Sequence, residues 1–148
     1  MTRSRTASTR RFEAGAPVAP YTVRPTTVQL FRFSAATWNA HRIHYDEAYA
    51  RSEGYPGVLV QSHLHGCFLA NALLEWAGPD AMLRSLSWRN RHAAIAGDVL
   101  TVTGHVMSAE TDGAEMLVEV EIAERDQRGA LCVSGHAVVR VPGQAGAQ

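Results

Sequence analysis

Three segments in the second half of the chain alternate apolar and polar residues with the period of a half-buried β-strand. Leu100, Val102, Gly104 and Val106 alternate with Thr101, Thr103 and His105; Met116, Val118, Val120 and Ile122 alternate with Glu119 and Glu121; Val133, Gly135, Ala137, Val139 and Val141 alternate with Ser134, His136 and Arg140. Successive side chains of a strand point to opposite faces, so each segment presents one apolar face to a core. Asp112-Gly113 and Gln127-Arg128-Gly129 supply hairpin turns, and Gly97-Asp98 supplies another after a further strand over residues 83–91. Upstream, Thr27-Val28-Gln29-Leu30-Phe31-Arg32-Phe33 alternates imperfectly, as an edge or partly buried strand would, and Ser34 suits the N-cap of a short helix through Trp38. Asp46 opens a second short helix over residues 47–53, Gly54 closes it, and Tyr55-Pro56-Gly57 is a turn.

A longer helix is predicted from His63 to Ala77, capped by Ser62 and ended by Gly78-Pro79. Leu64, Cys67, Phe68, Leu69, Ala70, Ala72, Leu73, Leu74 and Trp76 make it apolar on almost every side, so other elements must wrap it. An antiparallel sheet curled around this helix buries both, which makes the fold class α+β. Gly104 and Gly135, inside strands, would let the sheet bend closely over the helix. At 148 residues the chain suits one domain. The expected division is a flexible tail over residues 1–20, a domain over 21–142 and a short tail over 143–148.

Composition narrows the chemistry. With 14 basic and 14 acidic residues the net charge is +0, so nothing draws the chain as a whole to nucleic acid or a membrane. Every basic residue is Arg, which excludes Schiff-base and lysine-base mechanisms and leaves the seven histidines as the main acid–base groups. His63 and His65, two apart on a helix, point to different sides and make a poor chelating pair; no metal and no cofactor is expected. His105 and His136 fall on the polar phases of strands, as surface or interface residues do. Cys67 and Cys132 are expected as small core residues, in keeping with a reducing, cytoplasmic setting. The N-terminal segment carries Arg3, Arg5, Arg10 and Arg11 among Ser, Thr, Ala and Pro and lacks a signal-peptide apolar run; a transit peptide is the less common reading of such a tail. No segment reaches the roughly 20 apolar residues of a membrane span.

The most informative stretch is Phe33-Ser34-Ala35-Ala36-Thr37-Trp38-Asn39-Ala40-His41-Arg42-Ile43-His44-Tyr45-Asp46, followed by Gly54-Tyr55-Pro56-Gly57. It resembles the signature of MaoC-like hotdog-fold dehydratases and hydratases, nearest the branch of 3-hydroxyacyl-thioester dehydratases and mesaconyl-CoA-type hydratases. The resemblance runs in coarse order from about Thr27 to Val141, with its motif between Phe33 and Gly66. It implies a hotdog fold, a homodimer or higher oligomer, and a substrate carried as an acyl thioester of coenzyme A or acyl carrier protein.

In the better-known hydratase branch the motif reads Asp-x-Asn-Pro-x-His. Here Asn39 takes the Asp position, His41 the Asn, Arg42 the Pro, and His44 keeps the His. The resemblance therefore implies His44 as a sole base and Asn39 as an oxygen-orienting amide, since an amide cannot exchange a proton near neutral pH. The resembling thioester dehydratase branch also carries Asn at this position. The family's His-Gly pair ahead of the central helix, whose glycine amide polarises the thioester carbonyl, is replaced by Gln61-Ser62; the Ser62 N–H can donate in its place. Arg42, Trp38, Tyr55 and Gln61 are candidate substrate contacts. Arg89 and Arg91 lie where similar proteins hold the thioester carrier, and two readings stand: phosphate ligands, or solvated charges on an outer strand face. For Trp38 and Tyr55 the alternative is plain packing beside a turn.

Three functional classes follow. One is a hydro-lyase acting at the β-carbon of an acyl thioester. The second is a non-catalytic hotdog subunit, or acyl-thioester binding protein, that pairs with an active partner. The third is a hotdog thioesterase, which needs a carboxylate near the thioester; no Asp or Glu lies between Glu13 and Asp46, so Asp46 or Glu47 would have to turn inward.

Overall fold

A computed structural model describes residues 11–143. Residues 1–10 and 144–148, within the segments expected as tails, lie outside the described residues. The elements run β1 (Pro17–Val23), α1 (Thr27–Thr37), a 3₁₀ turn (Arg42–His44), α2 (Glu47–Ser52), α3 (Ser62–Ala77), β2 (Met82–Asn90), β3 (Leu100–Asp112), β4 (Glu115–Arg125) and β5 (Leu131–Pro142). The strands form one antiparallel sheet in the order β1-β3-β4-β5-β2, and α3 packs on its concave face. This is the hotdog arrangement.

The alternating segments behave as their period dictates. Leu100, Val102, Val106, Val118, Val120, Ile122, Val133, Ala137, Val139 and Val141 are buried together against Leu64, Phe68, Leu69, Ala72, Leu73 and Trp76 of α3. Leu69 and Leu73 are fully enclosed, each contributing about 1.5–3 kcal/mol of apolar burial. One stripe of α3, through His63, Cys67, Asn71 and Leu74, stays open at helical spacing, so the helix is wrapped on most sides and not all. Cys67 is therefore exposed, against the expectation of a core residue, while Cys132 is buried.

The segment at residues 27–33 is helical, not a strand. Over seven residues its apolar positions fit either period, and the start signal decides: the Thr26 hydroxyl accepts the Gln29 N–H at 3.1 Å, the geometry of an N-cap. Leu30 and Ser34, one turn apart, face inward, so Ser34 is an interior residue of α1 and not its cap. The sheet begins at Pro17, inside the segment expected as a tail. Its two prolines suit an edge strand, Pro17 at its first position and Pro20 within the register shift between Val18 and Tyr21. Arg11 also belongs to the packed molecule: its guanidinium donates to the carbonyls of Trp76 and Ala77 at 3.2 and 3.3 Å, closing the C-terminus of α3. Gln61, not Ser62, is the N-cap residue of α3, and it makes no side-chain capping bond. The strand glycines serve contacts between strands: a Cβ at Gly104 would strike the Glu121 carbonyl, and one at Gly135 would lie 2.9 Å from the Ser87 carbonyl. The close glycine approach to the helix runs the other way, at Gly66, where a Cβ would sit 2.6 Å from the Trp88 ring. Among the described residues no helix is long and apolar enough to cross a membrane.

Candidate active site

The site is assembled where α1 ends. Trp38 takes a left-handed conformation (φ 56°, ψ 31°), the one positive φ outside glycine among the described residues. Its N–H and that of Asn39 both turn back to the Ser34 carbonyl, the latter at 2.9 Å. This reversal ends the helix and presents Asn39 to a groove of about 320 Å³. Phe31, Ala35, Trp38, Ala40 and Tyr45 give the groove apolar walls, with Ser34 and Asn39 as its polar side chains beside the Tyr45 hydroxyl. That hydroxyl is already committed, donating to the Ala40 carbonyl at 2.8 Å.

His44 closes the 3₁₀ turn and is 9% exposed. Its Nδ1 lies 2.8 Å from the Leu59 carbonyl. A carbonyl only accepts, so Nδ1 carries the proton and Nε2 carries the lone pair. Burial lowers the His44 pKa below its usual 6.5, assisted by nearby His41 and opposed by the Leu59 bond. The result is a neutral imidazole with a defined basic nitrogen. Asn39 and His44 share no hydrogen bond; His41 stands between them, its N–H on Asn39 Oδ1 at 3.3 Å and its ring edge-on to His44 with centroids 6.0 Å apart.

Arg42 is exposed and already occupied: it pairs with Asp46 at 2.7 Å and lies over the Tyr49 ring at 4.5 Å. Asp46 also caps α2 through the Tyr49 N–H, and these bonds hold its carboxyl below the ordinary carboxylate range. Glu47 pairs with Arg51. Asp46 and Glu47, either of which would have to turn inward in a thioesterase, are thus engaged with Arg42 and Arg51. Tyr55 follows α2 and does not line the groove.

At the start of α3 the Ser62 carbonyl accepts the Trp88 indole N–H at 3.2 Å, while the Ser62 side chain is exposed. The first N–H groups of a helix have no partner within it, and no side chain caps them here. Gln61 points away, 1% exposed, with its Nε2 on the Leu30 carbonyl and the Ser34 hydroxyl. Trp88 belongs as well to a second groove, about 460 Å³, that brings Arg89 and Arg91 together with His136; Arg91 Nε donates to Ser134 at 3.0 Å. The indole therefore joins the arginine-lined groove to the helix start.

Two features escape a linear reading. Phe31, Ser34, Ala35 and Trp38 share one helical face, a spacing visible once the segment is read at period 3.6. The other is a buried hydrogen-bonded pair, His65 Nδ1 and Glu124 Oε1 at 2.5 Å, with side chains 4% and 0% exposed. Glu124 continues the inward phase of Val118, Val120 and Ile122, which is the signal that its carboxylate enters the core.

The model of the family described as hydroxyacyl-thioester dehydratase type 2 matches residues 2–96, more than half of the chain. The chain is similar to a mesaconyl-C(4)-CoA hydratase of Chloroflexus aurantiacus, 56% identical over 57 residues, which is 38% of this chain and 19% of the relative. It is also similar to a mitochondrial hydroxyacyl-thioester dehydratase type 2 of Schizosaccharomyces pombe, 38% identical over 61 residues, 40% of this chain and 19% of the relative. The matches thus span about a fifth of either curated relative's length. Among solved structures, an (R)-hydratase from A. caviae involved in PHA biosynthesis superposes with a TM-score of 0.78 at 23% identity, covering 88% of this chain and 97% of that one, a likeness of fold. By the extent of the family match, the chain belongs to the hydroxyacyl-thioester dehydratase type 2 family.

Proposed function

We propose that the protein catalyses reversible loss or addition of water at the β-carbon of an acyl thioester carried by coenzyme A or acyl carrier protein. The observation that carries this reading is His44: buried, neutral, and oriented by the Leu59 carbonyl so that Nε2 is a free base. In dehydration Nε2 takes the α-proton and the electron pair moves toward the thioester carbonyl. The uncapped N–H groups at Ser62 and the following residue polarise that carbonyl, supported by the helix dipole. The enolate electrons then form the double bond as the β-carbon–oxygen bond breaks. The imidazolium returns its proton to the departing hydroxide as water, so His44 ends neutral. Asn39 orients the oxygen and exchanges no proton, which leaves a single base to run both steps.

Trp38 and the apolar groove receive the acyl portion, and Arg89 and Arg91 hold carrier phosphates beyond Trp88. Gln61 contributes through Ser34 rather than by direct exposure. The edge strand β2 leaves one side of its backbone unpaired, which supports association with a second hotdog chain there. The test is incubation of the purified chain with enoyl and 3-hydroxyacyl thioesters, read as a mass change of one water. Turnover is expected, and His44→Ala should lower it at least a hundredfold with circular dichroism unchanged, the usual scale for a lost general base. Undiminished turnover in that variant would remove His44 from the mechanism.

A further inference from the structure

Gln61 occupies the N-cap position of α3 but turns its amide across to α1, where Nε2 donates to the Leu30 carbonyl at 2.8 Å and to Ser34 Oγ at 2.9 Å. The Leu30 carbonyl then has both lone pairs in use, because the Ser34 N–H, one helical turn on, takes the other. Ser34 Oγ accepts that hydrogen bond, and among the described residues its own O–H makes none; Gln61 Oε1, on the same amide, is likewise without a partner. Ser34 is 5% exposed and lines the groove with Asn39. Asn39 Oδ1 accepts the His41 N–H, which fixes the amide so that Nδ2 is its donor end. The groove thus offers donors, one O–H and one N–H₂, inside apolar walls. Such a site selects an oxygen that accepts hydrogen bonds and whose negative charge can grow.

We propose that Ser34 is a substrate-contacting residue whose hydroxyl, oriented by the buried Gln61, donates with Asn39 to the β-oxygen of a 3-hydroxyacyl thioester. The assignment rests on the dehydratase reading above. It gives Gln61 a role of its own, that of a positioning residue linking the start of the central helix to the groove. As the β-carbon–oxygen bond breaks, the oxygen gains charge facing two donors, and the proton it needs comes from the His44 imidazolium. The groove walls at Phe31, Ala35 and Trp38 suit an acyl chain that is apolar beyond this oxygen.

The test is calorimetric binding of 3-hydroxyhexanoyl-CoA and hexanoyl-CoA to the full chain carrying His44→Ala, which prevents turnover. The His44→Ala parent should bind the hydroxylated ligand about tenfold more tightly, the combined effect of the Ser34 and Asn39 donors on a group gaining no full charge in the ground state. Adding Ser34→Ala, which leaves the Asn39 donor in place, should reduce that preference about threefold, with hexanoyl-CoA affinity unchanged, whereas Ser34→Thr retains the hydroxyl and the preference. Gln61→Met, which frees Ser34 without removing it, should lower the preference partway. A full preference in Ser34→Ala overturns the inference, and so does an equal loss for both ligands, which would make Ser34 a wall residue only. A parent that binds neither thioester overturns the dehydratase reading itself, a result distinct from either.

Discussion

A histidine can serve as a base when its imidazole is neutral and one nitrogen keeps its lone pair, and at His44 both conditions follow from the fold. Leu59, fifteen positions on, fixes the tautomer. Burial disfavours the imidazolium, so the folded pKa lies below 6.5. Activity should therefore persist to mildly acidic pH and fall as pH drops through a midpoint below 6.5; a kcat/KM profile with its acidic limb centred above 6.5 would contradict this. The sign for stability follows the same shift. Below 6.5 the unfolded chain binds a proton that folded His44 resists, so stability falls with falling pH in that range. His44 and Asn39 were legible as residues because the motif names them. Ser34 was not, because a serine ahead of a short apolar run reads as a cap until Thr26 is seen to hold that place. Trp38 shows the same limit: nothing in its neighbours announces a left-handed tryptophan, a conformation that costs about 1–2 kcal/mol and is held by the paired N–H bonds to Ser34.

Between elements, the least expected joint is α3 to β4 through His65 and Glu124. Removing two polar groups from water is unfavourable, and among the described residues Glu124 Oε2 has no partner. Breaking the pair from one side should be severe: His65→Ala is expected to destabilise by about 3–5 kcal/mol in urea unfolding, because Glu124 is left buried without its partner and a cavity opens beside it. Replacing both, His65→Leu with Glu124→Leu, should recover most of that loss. A single variant as stable as the parent would show that the pair is not held as described. His65 was correctly separated from His63 by helical geometry, yet its partner is 59 residues away and belongs to a strand whose register only the sheet defines. Gly66, the next residue, admits the Trp88 ring against the helix, and this contact aligns the arginine-lined groove with the helix start.

Across the whole molecule, cooperative folding separates the cysteines. Cys132 is buried on β5, and desolvation, with Glu124 and Asp126 nearby, pushes its thiol up to about 11; Cys67 lies on the open stripe of α3. Treatment with a maleimide at pH 7 should add one label to the native protein, at Cys67, and a second only after denaturation, as read by intact mass. Two rapid additions to the native chain would show that β5 is not held in the sheet.

Period-two alternation in β3, β4 and β5, the apolar run of α3 and the turn residues between them were enough to establish a sheet around a helix, because burial acts on each residue through its spacing to near neighbours. The motif was enough to single out His44 and Asn39. Tertiary structure decided that the sheet starts at Pro17, that Gln61 faces Ser34, and that Glu124 meets His65. Those outcomes depend on which groups meet after the chain has folded back on itself. Hydrogen-bond satisfaction across 27 to 59 residues leaves no periodic trace in the sequence.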